Sequence, residues 1–251
     1  MGVAEPKENK KHEAMSQEAR TAAIAEEKDV AAALRLLPLD ERRTQAQEVA
    51  TRLRAAYPDA RCELDFTSAF ELLVATVLSA NTTDRRVNQV TPELFGRWPS
   101  SAELSCAPVN EVEDVVRSLG MFRRRAHSLV SLSSQLEDDH GGEVPGNRDD
   151  LVALSGVGRK TANVVLGNWF GAEEITVDTH VSRVTRRLGW VDSLSPVVIE
   201  QELWELLPDA PWTQLCHELI FHGRRICRAR KPACDECVVA DLCPSYAVGD
   251  Q

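Results

Sequence analysis

Four of the seven cysteines in this chain lie close together near its C-terminal end. They are Cys227, Cys234, Cys237 and Cys243, in a C-x6-C-x2-C-x5-C run. Because the N-terminal residues predict no secretory leader, and disulfides are rare inside cells, clustered thiols indicate metal ligands. Four thiolates without histidine suit zinc or an iron–sulfur cluster. A single Cys-x2-Cys knuckle favours iron–sulfur over zinc, and a site without metal is the third alternative.

A second segment with chemical potential is LVALSGVGRKTANVVLGNWFG, residues 151–171. It predicts two helices joined by a tight turn that contains Gly156 and Gly158. Glycines in such a turn allow positive φ and the close approach of another backbone. The amides at the start of the second helix then form an anion site, for which a nucleic-acid phosphate is a natural ligand. Arg159 and Lys160 at the same helix start favour this interpretation.

Lys160 has two possible roles. A lysine at the positive end of a helix, shielded from water, gives up its proton more readily and becomes a nucleophile able to form a Schiff base. The simpler alternative is that Lys160 is one more charge that neutralises phosphate.

The segment VDTHVSRVTRRLGW carries an aspartate before an amphipathic helix. Asp178 is predicted to be the N-cap of that helix, where a carboxylate stays ionised. It could therefore also stabilise a developing cation. His180 is either a core histidine or a donor in a pocket, and the residues alone leave both open.

The elements that must position these groups are helices. Apolar residues recur at helical spacing through most of the chain, and alternating strand patterns are nearly absent, so the fold class is all-α. The helices are predicted over about 41–56, 70–78, 112–120 and 126–136, then to Leu154, and from Arg159 to Phe170 with Gly171 as C-cap.

Charge and hydropathy exclude some classes of protein. The net charge is −10 from 29 basic and 39 acidic residues, which argues against a strongly basic, non-specific nucleic-acid binder. Three windows without acidic residues nevertheless carry clustered arginines, which makes a local anionic partner plausible. No apolar run is long enough for a membrane helix, so we expect an intracellular, cytoplasmic protein.

Hairpin, aspartate and cysteine run occur in a fixed order and together resemble the endonuclease III family of DNA repair glycosylases. LSGVGRKTANVVL resembles its helix–hairpin–helix, VDTHVSRV its catalytic aspartate segment, and the cysteine run its [4Fe–4S] spacing. The resemblance covers about residues 41–243. It implies two lobes with a DNA cleft between them: a six-helix barrel at 62–172, and an iron–sulfur lobe made of 41–61 with 173–251. Residues 1–40 are then an N-terminal extension, either disordered or helical.

The resemblance also implies a reaction. Lys160 attacks the sugar of a flipped, oxidised pyrimidine, Asp178 stabilises the cationic sugar, and β-elimination cuts the strand on the 3′ side. The four cysteines hold a [4Fe–4S] cluster, and the protein acts as a monomer on double-stranded DNA, associated with the nucleoid. The residues expected to contact DNA are Gly156, Val157, Gly158, Arg159, Asn81, Met121, His180, Arg183, Arg224, Arg228, Arg230 and Lys231.

Two positions depart from the family pattern. Asn81 in LSANTTD stands where members usually carry glutamine, which fills the space left by the flipped base. Met121 in Gly120-Met121-Phe122 replaces the usual leucine that inserts into the base stack. A shorter amide and a more flexible wedge predict intact chemistry with altered lesion preference or slower turnover.

Other functions compete with this hypothesis. An adenine-mismatch glycosylase of the same superfamily would lack the hairpin lysine. A catalytically inactive helix–hairpin–helix DNA-binding protein would need neither Lys160 nor Asp178. An electron-transfer protein would explain the cluster but not the hairpin.

Overall fold

Helices joined by turns and loops make up residues 38–247, the part of the chain that this computed structural model describes. No strand occurs within that range, so the predicted all-α class is confirmed. The prediction for the N-terminal extension falls almost entirely on residues 1–37, which lie outside the described residues. None of the described helices is both long and apolar enough to cross a membrane.

The chain divides into two compact units. The hairpin unit comprises Ala60–Thr176 together with Pro211–His217. Among the described residues, the cysteine unit comprises 38–59, then Val177–Ala210, then 218–247. The stretch Pro211–His217 therefore packs with the hairpin unit, although the predicted lobes placed it with the cysteines.

The helices are numbered in chain order. Helix α1, Leu39–Ala56, belongs to the cysteine unit and begins two residues before its predicted start. The hairpin unit contains α2 Ala69–Leu78, α3 Asp84–Asn88, α4 Thr91–Arg97, α5 Ser101–Ser105, α6 Val109–Val116, α7 Phe122–His140, α8 Arg148–Ala153 and α9 Arg159–Asn168. After it come α10 Thr179–Arg187, α11 Pro196–Leu206, α12 Trp212–Arg225 and α13 Pro244–Ala247.

Helices α2 and α7 form the centre of the hairpin unit. Eight of the ten residues of α2 are buried, and its N-cap Ser68 accepts a hydrogen bond from the Glu71 amide at 3.1 Å. Helix α7 buries a stripe at helical spacing that includes Leu129, Leu132 and Leu136, and it packs mainly on α5 and α6. These two helices form the support on which the hairpin turn is built.

The second hairpin helix is shorter than predicted. Helix α9 ends at Asn168 with Trp169 as its C-cap, whereas Phe170 and Gly171 were expected to hold those positions. The amides of Phe170 and Ala172 both donate to the carbonyl of Leu166, so the hydrogen bonds of the hairpin helix continue slightly past its last helical residue. Gly171 does adopt positive φ, +69°, but it is the third residue after the last helical residue, Asn168.

In the cysteine unit, α1 is held by bonds from polar side chains to distant backbone. Arg43 donates to the carbonyl of Leu206 at 3.3 Å, and Gln45 donates to the carbonyl of Leu242 at 2.9 Å. The indole of Trp190, which is buried, donates to Gln45 Oε1 at 2.9 Å. Residues far apart in sequence therefore meet on α1.

His217 on α12 predicts a pH dependence of stability. Burial lowers the pKa of His217 to about 4, and its Nε2 lies 2.8 Å from Asn168 Oδ1. The unfolded chain, with an ordinary histidine pKa of about 6.5, binds more protons between those two values, so stability rises with pH across this window. We expect the free energy of unfolding to fall by about 1 kcal/mol between pH 7.5 and 5.5 on account of this residue alone.

Denaturant unfolding of the wild type and of His217→Gln at both pH values measures this contribution. Glutamine can still donate to Asn168, but it does not titrate. Equal pH dependence in the two proteins would show that His217 titrates normally.

Candidate active site and metal centre

The turn between α8 and α9 is closed by a backbone hydrogen bond. The amide of Val157 donates to the carbonyl of Leu154 at 3.1 Å, and the Ser155 amide donates to Gln135 Oε1 at 2.7 Å. The Val157 N–H thus already has an acceptor within the turn, and the expectation that it holds a phosphate stays a prediction. The side chain of Val157 is buried in the core of the hairpin unit.

The two turn glycines have different surroundings. Gly156 has φ +80°, and a Cβ there would lie 3.1 Å from Ser128 Cβ on α7. Gly158 has φ −99°, and a Cβ there would meet nothing within 4 Å. Neither glycine amide has an acceptor among residues 38–247. The turn therefore packs inward at Gly156 and leaves unfilled space beside Gly158. The amides of both glycines remain available to a ligand.

Lys160 is the second residue of α9 and is exposed, as is Arg159 before it. The first turn of α9 contains no acidic residue that would offset the positive end of the helix. The shielding from water that the nucleophile interpretation assumed is absent around this side chain. A bound ligand would have to supply it.

Asp178 is the N-cap of α10, as predicted. Its Oδ1 accepts hydrogen bonds from the amides of His180 at 2.8 Å and Val181 at 2.7 Å. Its other carboxylate oxygen has no partner among residues 38–247. One oxygen therefore holds the helix while the other is available for a ligand.

His180 and Arg183 form a pair on the first turns of α10. Arg183 Nη2 lies 3.1 Å from His180 Nδ1, so the proton of a neutral His180 ring is on Nε2. The same guanidinium donates to the carbonyls of Gly223 at 2.9 Å and Cys227 at 3.0 Å. These donors tie α10 to the end of α12, and a contact of Arg183 with DNA stays a prediction.

Three predicted DNA contacts share an unusual backbone conformation. Within residues 38–247, the non-glycine residues with positive φ are Asn81 at 59°, Met121 at 46° and Lys231 at 51°. All three side chains are exposed, and Met121 is 53% exposed although it is apolar. Such conformations are uncommon outside glycine and often occur at functional sites.

The four clustered cysteines line one cavity of the cysteine unit, together with apolar residues such as Val184, Leu188 and Val239. Burial raises the pKa of the Cys243 thiol to about 11 and also raises that of Cys237. Thiolates in such a place need a cationic partner, which a cluster of iron ions provides. The donor set and its surroundings fit a buried cluster.

Sequence reasoning missed two residues that brace this cavity. Arg187 Nη1 donates to Cys227 Sγ at 3.4 Å and to the carbonyl of Arg228 at 2.8 Å. Its spacing of four residues from Arg183 places both arginines on one face of α10 and could have revealed it.

The second missed residue is His222, whose ring bridges a tyrosine and a ligand cysteine. Burial lowers the pKa of His222 to about 4 and raises that of Tyr57 to about 12, so both are neutral near pH 7. Tyr57 Oη lies 2.9 Å from Nδ1, and Cys237 Sγ lies 3.7 Å from Nε2. If a thiolate of a bound cluster accepts from Nε2–H, the neutral ring has no proton on Nδ1, and the tyrosine then donates to Nδ1.

The basic residues around the cysteine run are on the surface. Arg224, Arg228, Arg230 and Lys231 are all exposed, as expected for contacts with an anionic partner. Their neighbour Arg225 forms an ion pair with Asp59 at 3.1 Å.

Comparisons with known proteins match this arrangement. Residues 74–209 match the family model for HhH-GPD superfamily base excision DNA repair proteins. Residues 227–243 match the iron–sulfur binding domain of endonuclease III, which confirms the iron–sulfur prediction over the zinc alternative.

Curated relatives and solved structures agree with the family models. Endonuclease III of Synechocystis sp. is 43% identical over 84% of this chain and 96% of its own length. Endonuclease III of Escherichia coli is 40% identical over 78% of this chain and 93% of its own length.

A non-covalent endonuclease III–DNA complex has a TM-score of 0.79 at 39% identity, over 85% of this chain and 98% of that one. A trapped covalent endonuclease III–DNA intermediate matches with the same TM-score and identity. This chain therefore belongs to the endonuclease III family, within the HhH-GPD superfamily of base excision DNA repair proteins.

Proposed function

We propose that this protein removes oxidised pyrimidines from double-stranded DNA and then cleaves the abasic site by β-elimination. The observation that carries the proposal is the exposed side chain of Lys160 close in sequence to the amides of Gly156 and Gly158, which have no acceptor among residues 38–247. A phosphate held by those amides would bring the sugar of the same strand to the lysine. The match to a trapped covalent endonuclease III–DNA intermediate supports chemistry through a covalent bond.

The lysine carries out both steps of the reaction. The unprotonated Nζ of Lys160 attacks the sugar C1′, and the C1′–N bond breaks as the damaged base leaves with a proton. The sugar ring opens to an imine on Nζ. Loss of a C2′ proton then expels the 3′ phosphate oxygen, and water hydrolyses the imine to release the enzyme. An activated water in place of the amine would remove the base without cutting the strand.

Asp178 supports the charge that develops on the sugar. The oxygen not used for capping would face the positive character that C1′ acquires as the base departs. A carboxylate fixed by two amides is held in place before the reaction, so little reorganisation is needed.

Replacing Asp178 by asparagine separates capping from chemistry. Asparagine caps helices about as well as aspartate, so the free energy of unfolding should change by less than about 0.5 kcal/mol. Base excision in single turnovers should fall by about 10²-fold or more, because the charge is lost. Unfolding and excision assays on Asp178→Asn measure the two effects, and Asp178→Ala, which removes the cap as well, serves as the comparison. An unchanged excision rate in Asp178→Asn would leave the residue with a structural role only.

Surface groups of both units would hold the DNA backbone without reading sequence. In the hairpin unit these are the amides of Gly156 and Gly158 with the side chain of Arg159. In the cysteine unit they are the exposed side chains of Arg224, Arg228, Arg230 and Lys231. His180 Nε2–H is a further donor on α10. These basic groups would make the surface that faces DNA locally positive, although the net charge of the chain is −10.

The two hairpin glycines give a matched pair of variants. Gly156→Ala places a Cβ 3.1 Å from Ser128 Cβ at positive φ, so we expect a loss of about 1–2 kcal/mol in the free energy of unfolding. Gly158→Ala meets no protein atom within 4 Å, so the fold should be unaffected. Its methyl group would occupy the space for the phosphate and weaken DNA binding by about tenfold or more. Thermal unfolding and titration of an abasic-site duplex measure both. Tight binding by a folded Gly158→Ala variant would contradict the phosphate site.

The [4Fe–4S] cluster would be held by Cys227, Cys234, Cys237 and Cys243. When bound, it cross-links the loop that presents the basic residues, and its four thiolate ligands leave no iron position open for substrate. Arg187 and His222 would support it through their bonds to two of the sulfurs.

The test of the proposed function is a set of three duplexes containing one thymine glycol, one adenine–guanine mismatch or one abasic site. We expect base release and 3′ strand cleavage on thymine glycol, cleavage of the abasic site, and no action on the mismatch. Excision of adenine would instead establish a mismatch glycosylase. Tight binding without any product would establish an inactive DNA-binding protein.

We further propose that the protein acts as a monomer and is associated with the nucleoid, where its substrate lies.

A further inference from the structure

Arg125 is a buried arginine that the proposed reaction does not use. It lies on the first turn of α7 and is only 5% exposed. Its guanidinium donates to backbone carbonyls of two separate segments. In one segment it bonds Leu78, the last residue of α2, and, at 2.7 Å, Ala80 in the loop that follows; in the other it bonds Gly120 at 2.8 Å and Leu119 at 3.5 Å.

These two segments carry the residues expected to enter the DNA. The Asn81 loop, residues 79–83, begins where α2 ends, and the Met121 loop, residues 117–121, leads into α7. Arg125 bonds the carbonyl immediately before Asn81 and the carbonyl immediately before Met121. One side chain therefore joins the peptide groups that precede both residues.

Packing alone does not account for an arginine here. A buried guanidinium is costly unless its donors are satisfied, and an apolar side chain of similar volume would fill the space at lower cost. Among residues 38–247, no carboxylate forms an ion pair with Arg125, and its hydrogen-bond partners are the four carbonyls. This set of hydrogen bonds fixes the relative positions of the carbonyls that it joins, because the planar fork of arginine sets the directions of its bonds.

The backbone at both sites needs such support. Asn81 and Met121 have φ of 59° and 46°, a conformation that residues with a Cβ rarely adopt. Strained conformations persist only where the surroundings hold them. Arg125 restrains the peptide group before each strained residue and so fixes the direction in which each exposed side chain points.

A second arginine ties the Met121 loop at the surface to the helix that follows the Asn81 loop. Arg86 on α3 donates from Nη2 to the carbonyl of Ser118 in the Met121 loop at 2.6 Å. The Met121 loop is thus bonded to the segment around Asn81 twice, inside through Arg125 and outside through Arg86.

We propose that Arg125 is a positioning residue that holds Asn81 and Met121 at a fixed separation, so that both enter the base stack together when a damaged base is flipped. This inference rests on the proposed function. A lesion base must be pushed out of its stack before excision, whereas an abasic site has no base to extrude. Arg125 therefore matters for excision far more than for cleavage of a preformed abasic site.

The test compares these two reactions in Arg125→Lys. Lysine keeps the charge, but a single ammonium cannot reproduce the fork that spans both loops. We expect the single-turnover rate of thymine glycol excision to fall by about tenfold or more, and abasic-site cleavage by less than about threefold. Arg86→Ala exposes no buried group. This variant should lower the ratio of thymine glycol excision to abasic-site cleavage by about threefold.

Leu136→Ala is the control for a general loss of stability. Leu136 is buried on the same helix, eleven residues beyond Arg125, and its apolar side chain forms no hydrogen bond to either loop. At a temperature where circular dichroism shows all variants folded, Leu136→Ala should leave the ratio of excision to abasic cleavage unchanged.

A further variant shows whether Arg125 acts through the two loops. Adding Arg125→Lys to the Asn81→Ala/Met121→Ala protein should cause no additional loss of excision, because the side chains it positions are already absent. An additional tenfold loss, an equal fall of both rates in Arg125→Lys, or an unchanged ratio in both arginine variants would overturn the inference. Failure of the wild type on both substrates would instead overturn the proposed function, and this inference with it.

Discussion

Lys160→Ala should abolish the covalent DNA adduct that borohydride traps and lower abasic-site cleavage by at least about 10⁴-fold. The amine is the only group proposed to bond the sugar, and alanine has nothing with which to replace it. The side chain is exposed at the second position of α9, where alanine favours the helix, so the variant should fold as the wild type does. Denaturing gels after borohydride treatment of a thymine glycol duplex measure the adduct.

Arg159→Ala is the matched control for the loss of one positive charge. Arg159 precedes Lys160 on the same helix and is equally exposed, but a guanidinium does not act as a nucleophile. We expect weaker DNA binding with a smaller salt dependence, and an adduct that still forms once DNA is in excess. Binding by Lys160→Ala should fall by a similar factor, since both variants remove one charge.

Two outcomes would contradict this assignment. An adduct of undiminished yield in Lys160→Ala would place the nucleophile elsewhere in the chain. Base release without strand cleavage by the wild type would mean that water, and not an amine, displaces the base.

Cys237→Ala should remove the cluster and with it much of the stability of the cysteine unit. Binding of a structural metal centre is coupled to folding, so loss of one ligand is expected to cost several kcal/mol. The contact between His222 and the Cys237 sulfur is also lost, and the exposed basic residues are no longer held in place by the cluster. Iron and sulfide content, visible absorption and thermal unfolding of the purified protein measure the effect.

Cys106→Ser shows whether the effect is particular to the clustered thiols. Cys106 is exposed and lies outside the cavity that the four cysteines line. It should retain full iron content and the unfolding temperature of the wild type. Iron content equal to wild type in Cys237→Ala would exclude Cys237 as a ligand.

Local pattern was enough to predict much of this protein. Helical spacing predicted α1, α2 and α7 to within a few residues, because a buried stripe needs one apolar residue at each turn. The N-cap role of Asp178 was also correct, since capping depends only on the next three amides. The cysteine spacing indicated iron–sulfur for a similar reason, because its ligands come from one short loop.

Other features depended on which groups had already formed bonds. The Val157 amide and the Arg183 guanidinium are donors by type, yet the folded chain uses both internally. The exposure of Lys160 is likewise a property of how the hairpin packs, and not of its sequence.

The sequence alone thus determined the cap and most of the helices, and it indicated the four cysteines and the lysine as site residues, because all of these follow from residues near one another in the chain. Only the tertiary structure decided that Arg125 joins two loops and that His222 joins Tyr57 to Cys237. The partners of Arg125 lie up to 47 residues away, and Tyr57 lies 165 residues from His222. A donor's partner at such a distance is chosen by how the helices pack, which no local pattern records.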